Sequence, residues 1–332
     1  MSTRVFLTID TEFTIGGAFS QPDRRRPVGA RSVRCPTREG AAGLGFVLDT
    51  FEDHGLKATF FIETLQTAWF GDGPMGEIAA EIAARGHDAQ LHLHPVWTWF
   101  DAPAWRARLA DARPNDDAHG RSPAELIAWI RRGKAAFARW GLPPPVALRT
   151  GNLRADLSVY HAMAACGLSI ASNVGRGLFE PDEPALRLDA GIHRIGSVLE
   201  LPVLSYTERA LPGRSRSKCL TVAGASFAET RFLLERAHDA GAPAVVLLTH
   251  CHEFARGDPA GELRPNLTSQ RRLRALCRYL ATARRRFSVD TLGQLARHRP
   301  QPAAAAALAV PARLAWPRML ANRLAEIGCP GC

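Results

Sequence analysis

The chain has 332 residues, of which 46% are hydrophobic and 22% are charged, and its formal net charge is +10. This composition is typical of a globular protein with a full apolar core, and it excludes a wholly disordered chain. No run of 18 or more apolar residues occurs, so no membrane-spanning helix is predicted. The amino terminus has no apolar signal region, and the seven cysteines form no disulfide framework. We therefore expect a cytoplasmic protein.

Short arginine clusters, such as residues 24–26 and 284–286, supply much of the positive charge. We interpret them as solvated helix faces and loops. The alternative is a surface that attracts phosphate-bearing glycolipids, nucleotide sugars or a membrane. Because no aromatic residues interleave with the basic ones, no nucleic-acid partner is expected.

Strand-like and helical segments alternate along the chain. Strands are predicted at residues 4–9, 57–62, 88–92, 146–148, 168–172, 198–202, 245–249 and 287–289. Helices are predicted at residues 40–54, 75–85, 124–140, 157–166, 226–240, 269–284 and 291–297, with Ser122 and Asp156 as starts and glycines such as Gly86 as stops. The alternation predicts an α/β fold, a distorted (β/α) barrel of about seven or eight strands.

We assign residues 1–298 to this barrel domain and residues 299–332 to an Ala/Pro linker followed by a basic amphipathic tail. Within the barrel, the Gly-, Pro- and Arg-rich residues 16–35 are predicted to form a lid or substrate loop. In the tail, the apolar positions 316, 320, 324 and 327 fall on one helical stripe. This stripe is expected to pack on the barrel, with peripheral membrane or partner contact as the alternative. Cys329 and Cys332 form a CxxC that we interpret as an unstructured end rather than a redox or metal site.

Three predicted strands each end in a pair of metal-binding or acid–base residues spaced two apart. The pairs are Asp10 and Glu12, His92 and His94, and His250 and His252. Residues i and i+2 of an extended chain point to the same face, so each pair aims both side chains at one place. If the strands are parallel, that place is the end of the barrel where α/β enzymes build active sites. The pattern predicts a mononuclear metal hydrolase.

Four segments that occur in this order, LTIDTE, GHDAQLHLHP, LRTGN and VVLLTHCHEF, resemble the motifs of one family. This family is the polysaccharide deacetylases of the NodB-homology type, carbohydrate esterase family 4. The resemblance runs from about residue 4 to residue 297 and is strongest to a branch associated with lipopolysaccharide and cell-surface polysaccharide biosynthesis. It implies a distorted (β/α) barrel and metal-dependent hydrolysis of the amide of an acetamido sugar.

The resemblance also implies roles for individual residues. Glu12, His92 and His94 would bind a divalent metal, most often zinc, with cobalt or manganese as alternatives. Asp10 would be the general base, Arg149 would hold it ionised, and His250 would be the general acid. Two positions depart from the family pattern: Thr11 separates Asp10 from Glu12, and Val96 stands where the second histidine is usual, so that role passes to His94.

Substrate contacts are predicted for Asn152, Trp97, Trp99 and His252. The two tryptophans follow the histidine pair on a loop, where their rings either contact a sugar or cover the barrel mouth. The expected substrate is an acetamido-sugar glycan, a lipid-linked precursor or a nucleotide sugar.

Two other functions fit the same residues. One is hydrolysis of a formamido sugar or a small amide on the same scaffold. A more distant variant of this function is an amidohydrolase-type barrel, which also uses a His-x-His pair. That pair normally ends the first strand, whereas here it ends about the third predicted strand, which counts against this variant. The other function is a barrel without catalysis that binds glycan or acts as a scaffold.

Overall fold

The computed structural model describes residues 2–211, 214–257, 262–298 and 300–327. The strands are β1 Thr3–Thr11, β2 Pro36–Thr37, β3 Gly40–Ala41, β4 Thr59–Glu63, β5 Asp88–Leu93, β6 Ala147–Thr150, β7 Ile170–Ala171, β8 Gly191–Ile195, β9 Val198–Glu200, β10 Ser205–Leu211, β11 Arg214–Cys219, β12 Ala244–His250, β13 Ala255–Gly257, β14 Leu263–Pro265, β15 Phe287–Asp290, β16 Ala303–Ala304 and β17 Leu308–Pro311. The helices are α1 Arg31–Arg34, α2 Leu44–Glu52, α3 Thr67–Phe70, α4 Gly73–Ala84, α5 Trp105–Arg108, α6 Pro123–Arg139, α7 Leu157–Ala165, α8 Phe227–Asp239, α9 Leu267–Thr282, α10 Leu292–His298 and α11 Ala312–Ile327. Each strand and helix predicted from the sequence has a counterpart, but the predicted helix 40–54 begins only at Leu44, after the short strand β3.

A curled, mostly parallel sheet forms the centre of the protein, with the strand order β12-β1-β4-β5-β6-β7-β9. Antiparallel β8 and β16 extend it. One edge of β1 is shared, because β15 pairs with its first half and β4 with its second half. A parallel bridge between Val203 and Val246 brings the chain after β9 back to β12. The predicted distorted (β/α) barrel is therefore confirmed.

Residues that alternate along β1 fill two apolar layers. Val5, Leu7 and Ile9 belong to the larger core, which includes the apolar faces of the helices. Phe6 belongs to a smaller cluster with Phe61 of β4 and residues from neighbouring strands. Burial on both faces is typical of a parallel strand covered by helices. The core thus fixes the direction of β1, whose last residues contribute to the candidate site.

Side-chain caps begin the helices where the sequence predicts. Ser122 Oγ accepts from the backbone N–H of Glu125, and a Glu125 carboxylate oxygen accepts from the backbone N–H of Ser122, which makes a capping box at α6. Asp156 caps α7 by accepting from the N–H of Ser158. Gly86 follows α4 with φ +73°, a left-handed conformation that favours glycine, and directs the chain into β5.

The described part of the predicted Ala/Pro linker, residues 300–311, contains two short strands. Its alanines pair as β16 with β8, and its end pairs as β17 with β10. The sequence pattern did not reveal these strands, because their pairing is made by backbone groups rather than by a distinctive side-chain pattern. Positions 324 and 327 of the predicted stripe, together with Cys329 and Cys332, lie outside the side chains that the structure describes.

Helix α11 packs on β10, β17 and α8, but not through the predicted apolar stripe, whose described members Trp316 and Leu320 are exposed. The buried residues Ala315 and Arg318 mark the face that makes the contact. Arg318 is 8% exposed, and its guanidinium contacts the buried carboxylates of Glu208 and Glu229. Among the described residues, no helix combines the length and the apolar character needed to cross a membrane.

Replacing Arg318 with alanine is expected to lower the free energy of unfolding by about 3 kcal/mol. The buried carboxylates of Glu208 and Glu229 each lose a positive partner, and Glu208 keeps Lys218 at 3.2 Å. Urea unfolding followed by circular dichroism measures this change. The matched control is Arg313→Ala, since Arg313 is exposed on the same helix and its loss should cost less than about 0.5 kcal/mol. Equal, small effects of the two substitutions would contradict the structural role of Arg318.

Candidate active site

Parallel strands bring the predicted metal and acid–base residues to one end of the barrel. Asp10, near the end of β1, lies in register with His250, the last residue of β12. In the same sheet, His92 of β5 lies in register with Arg149 of β6. Because these strands run parallel, the four side chains lie at the end of the barrel where strands finish, as the sequence predicts.

A cluster of three side chains could hold a metal ion. One ligand atom each from Glu12, His92 and His94 lies within 4.8 Å of the other two. Glu12 Oε2 is 2.5 Å from His94 Nε2 and 3.3 Å from His92 Nε2. One carboxylate and two imidazoles that leave further positions open are typical of a catalytic zinc site.

The second ring nitrogen of each histidine has its own acceptor. His92 Nδ1 donates to the backbone carbonyl of Arg149 at 2.8 Å, and His94 Nδ1 donates to Asp116 Oδ2 at 2.6 Å. When the rings are neutral, as metal binding requires, these bonds place the ring proton on Nδ1 and leave the lone pair on Nε2, facing Glu12. The pattern is usual for histidines that bind a metal.

His92 Nε2 shows that a cation fits the cluster. This atom is buried and makes no well-formed hydrogen bond within the described chain, although Glu12 Oε2 lies 3.3 Å away. With the ring proton on Nδ1, the Nε2 lone pair faces a carboxylate oxygen, and two acceptors do not satisfy each other. A divalent cation between them would satisfy both. The donor set therefore fits a resident metal ion.

Electrostatics at the cluster favour positive charge between its members. Burial would raise the pKa of Glu12, but His94 and His92 outweigh it and hold that pKa well below its usual range. Burial would lower the pKa of His94, but Glu12 and Asp116 outweigh it and raise that pKa well above its usual range. The carboxylate is thus ionised and ready to bind a cation.

Asp10 is held ionised by a buried arginine. Arg149 is fully buried, and its Nη1 donates to Asp10 Oδ1 at 2.7 Å. The rest of its guanidinium donates to the carbonyl and hydroxyl oxygens of Ser172. Burial alone would raise the pKa of Asp10. The positive charge of Arg149, with smaller contributions from His92 and His250, outweighs burial and lowers this pKa. The other carboxylate oxygen, Oδ2, lies 4.0 Å from His92 Nε2 and 3.8 Å from His250 Nε2.

His250 is oriented by a glutamate that the sequence analysis did not select. Its Nδ1 donates to Glu253 Oε1 at 3.0 Å, which turns Nε2 toward Asp10 and Glu12. Burial would lower the pKa of His250, but Glu253 and Asp10 outweigh it and raise the pKa to about 9. The ring is therefore protonated at neutral pH and can donate a proton. The three-residue spacing and the short turn Cys251–Phe254 were the available signal for Glu253.

Two other acidic residues support the cluster without a recognisable motif. Asp116 binds His94 Nδ1 and accepts from the backbone N–H of Val96 at 3.1 Å. Glu63, buried at the end of β4, accepts from the backbone N–H of His94 at 3.2 Å. Burial, only partly offset by His94, raises the pKa of Glu63 to about 7. Asp116 lies in an irregular segment, so no local sequence pattern places it beside His94.

The predicted substrate residues Asn152 and His252 lie beside the cluster. Asn152 is exposed and donates to Asp116 Oδ2 at 3.2 Å. His252 is exposed, with its ring centroid 5.0 Å from that of His250. Both remain predicted substrate contacts.

The predicted sugar contacts of Trp97 and Trp99 are not supported by their positions. The loop folds as the 3-10 helix Pro95–Asp101 and buries both rings, with exposures of 1% and 9%. Trp97 packs against Phe70 and Phe100, and Arg108 covers the ring of Trp99. Other side chains of the protein pack against both rings. This burial favours the stated alternative, in which the two tryptophans cover the barrel mouth instead of contacting a sugar.

Gly151 allows the close approach of His94. A Cβ atom at this position would lie 2.4 Å from His94 Cε1 and Nδ1. Gly151→Ala is therefore expected to displace the ring and weaken zinc affinity by about 10- to 100-fold, the range for altered support of a metal ligand. Competition with a chromophoric chelator measures it. Gly73→Ala, with no atom within 4 Å of its Cβ, is the control. Equal affinity in both variants would show that the His94 position does not govern metal binding.

Comparison with known proteins supports the fold. No family model matches the sequence, and no curated protein matches it. The structure of a provisionally assigned polysaccharide deacetylase from Mycobacterium smegmatis is similar, with a TM-score of 0.56, 18% identity and 90% of each chain covered. A family 4 carbohydrate esterase from Streptomyces lividans, in complex with acetate, gives a TM-score of 0.43 and 12% identity over 92% of this chain and 98% of its own. The resemblance predicted from the motifs is thus confirmed at the level of the fold: the chain has the barrel fold of the Mycobacterium smegmatis protein.

Proposed function

We propose that the protein is a metal-dependent N-deacetylase that hydrolyses the amide of an acetamido sugar. One observation carries this proposal. Glu12, His92 and His94 face one another, and both Asp10 and His250 come within 4.0 Å of a member of the cluster. Amide hydrolysis requires a carbonyl-polarising group, a base and an acid, and this arrangement provides all three.

The chain's own residues perform the proton transfers. A divalent cation held by Glu12, His92 and His94, most suitably zinc, would polarise the amide carbonyl as a Lewis acid. Asp10 Oδ2 accepts a proton from the attacking water, and Arg149 keeps this carboxylate ionised through Oδ1. As the C–N bond breaks, His250 Nε2 donates a proton to the departing amine nitrogen. The products are acetate and a free amino sugar.

We infer that the substrate belongs to a surface polysaccharide or is its lipid-linked or nucleotide-sugar precursor. The shared fold with a provisionally assigned polysaccharide deacetylase supports a glycan substrate. The net charge of +10 supports a precursor that carries phosphate. The described cysteines are unpaired, which supports action in a reducing compartment such as the cytoplasm.

Acetate release from chitooligosaccharides and from UDP-N-acetylglucosamine tests the proposal. The purified protein, loaded with zinc, is expected to release acetate from at least one of them. Treatment with EDTA should abolish release, and added zinc should restore it. Formate release from a formylated amino sugar, with no acetate from any acetylated substrate, would contradict deacetylation. Sugar binding without hydrolysis would contradict an enzymatic function.

Peripheral membrane contact through α11 is a separate part of the proposal. Its exposed Trp316 and Leu320 support this contact, since apolar side chains of a basic helix can enter the interface. Cosedimentation with vesicles that contain phosphatidylglycerol is expected, and a Trp316→Ser/Leu320→Ser variant should remain in the supernatant. Equal sedimentation of both proteins would contradict it.

A further inference from the structure

A cavity of about 830 Å³ lies at the end of the barrel where the strands begin. Its walls include the first residues of β5, Ser169 just before β7, Ser197 in the turn between β8 and β9, and part of α10. Asp88, in its wall, precedes His92 by four residues on the same strand, which corresponds to about 13 Å. The cavity is therefore separate from the candidate active site.

Positive charge predominates around this cavity. Lys57, Arg194 and Arg297 line it, against one carboxylate, that of Asp88. His87 also lines the cavity but adds no charge at neutral pH. Burial, together with the smaller effect of the nearby positive charge of Lys57, lowers its pKa to about 4. Asp88 does not neutralise the three cations by direct pairing. Within the described ranges, none of them forms an ion pair at 4.0 Å or less, and the Asp88 carboxylate accepts instead from side chains and a backbone N–H of the barrel.

Several donors of the cavity wall are also unused. Arg194 and Arg297 are exposed, and neither guanidinium makes a hydrogen bond to any residue that the structure describes. The same holds for the hydroxyls of Ser169 and Ser197 and for the side-chain amide of Gln294. Apolar side chains, including those of Val146 and Leu199, form the remaining wall. A cavity of this size, with a few polar groups in a partly apolar wall, is typical of a small-molecule site.

We propose that this cavity binds a small phosphate monoester, such as a phosphorylated sugar. Three cations and one carboxylate leave an excess of two positive charges, which matches the charge of about −2 on a phosphate monoester at neutral pH. Arg194 and Arg297 bind the phosphate oxygens, since guanidinium groups suit phosphate geometry. The hydroxyls of Ser169 and Ser197 and the side-chain amide of Gln294 bind the hydroxyl groups of the sugar. This site does not depend on the proposed catalytic function.

Isothermal titration calorimetry of the full chain with glucose 6-phosphate, inorganic phosphate and glucose tests this proposal. Glucose 6-phosphate is expected to bind at least about tenfold more tightly than inorganic phosphate or glucose, because only it carries both a phosphate group for the arginines and sugar hydroxyls for the serines and Gln294. The double substitution Arg194→Ala/Arg297→Ala should weaken its binding by at least about tenfold. Arg278→Ala removes an exposed arginine on α9 and should change nothing. Circular dichroism melting checks that the variants remain folded.

A fourth protein, His92→Ala, separates this cavity from the candidate metal site. It should bind glucose 6-phosphate like the wild type, because the cavity lies at the other end of the barrel. Loss of binding in His92→Ala, with unchanged binding in the double arginine variant, would overturn the proposal. Absence of glucose 6-phosphate binding to the wild type, or binding equal to that of inorganic phosphate, would overturn it as well.

Discussion

Asp10→Asn is expected to lower kcat for acetate release by about 10²- to 10⁴-fold, the range for loss of a general base. Asparagine has nearly the same shape and keeps an oxygen that can accept from Arg149 Nη1. It cannot, however, take a proton from water. Initial rates of acetate release at saturating substrate measure the effect.

Metal content makes this result specific. The proposed ligands are Glu12, His92 and His94, so Asp10→Asn should still bind about one equivalent of zinc. Asp53→Asn makes the same chemical change on an exposed residue at the end of α2 and should retain full activity. If Asp10→Asn were as active as Asp53→Asn, Asp10 would not be the base.

Arg149→Met is expected to lower the free energy of unfolding by about 3–5 kcal/mol, the cost of leaving a buried charge without its partner. Arg149 is fully buried and Asp10 is 5% exposed, so water cannot replace the lost contact. Without Arg149, the pKa of Asp10 rises, and the acid limb of the pH–rate profile should move to higher pH. Urea unfolding at several pH values measures the stability change.

The pH dependence distinguishes this pair from a simple packing effect. Because Arg149 lowers the pKa of folded Asp10, the stability from their pairing is present at neutral pH and is lost as pH falls through that lowered pKa. The difference in stability between the wild type and Arg149→Met should therefore narrow as the pH falls through the raised pKa of Asp10 in the variant and on through its lowered pKa in the wild type. Arg132→Met removes a partly exposed ion pair with Asp101 and should cost less than about 1 kcal/mol. A gap that stayed constant with pH would contradict the electrostatic role of Arg149.

The barrel was predictable because the strands of its parallel sheet and the helices between them have local signals. β1 and β12 are apolar runs that end in polar residues, and α6 and α7 begin at capping side chains. The spacing of two within each polar pair also predicted which side chains meet, since i and i+2 share a face in any strand. The convergence of Asp10, His92 and His250 follows from these local rules and the parallel order of the strands.

Other features depend on contacts between segments that are distant in sequence. Asp116 reaches His94 from an irregular segment 22 residues later, and no periodic pattern marks it. Trp97 is buried by rings from other segments, including Phe70 of α3. The strands β16 and β17 form in an alanine-rich stretch through backbone pairing alone. Tertiary packing decides such features, so a local reading of residue types cannot predict them.

Metal analysis of the purified protein tests the central claim most directly. Inductively coupled plasma mass spectrometry after dialysis against zinc should find about one equivalent in the wild type and in His161→Ala, an exposed control on α7. His92→Ala and His94→Ala should each retain less than about a tenth of that amount, because each removes one of three protein ligands. A full equivalent in both of these variants, or none in the folded wild type, would contradict the assignment of Glu12, His92 and His94 as a metal centre.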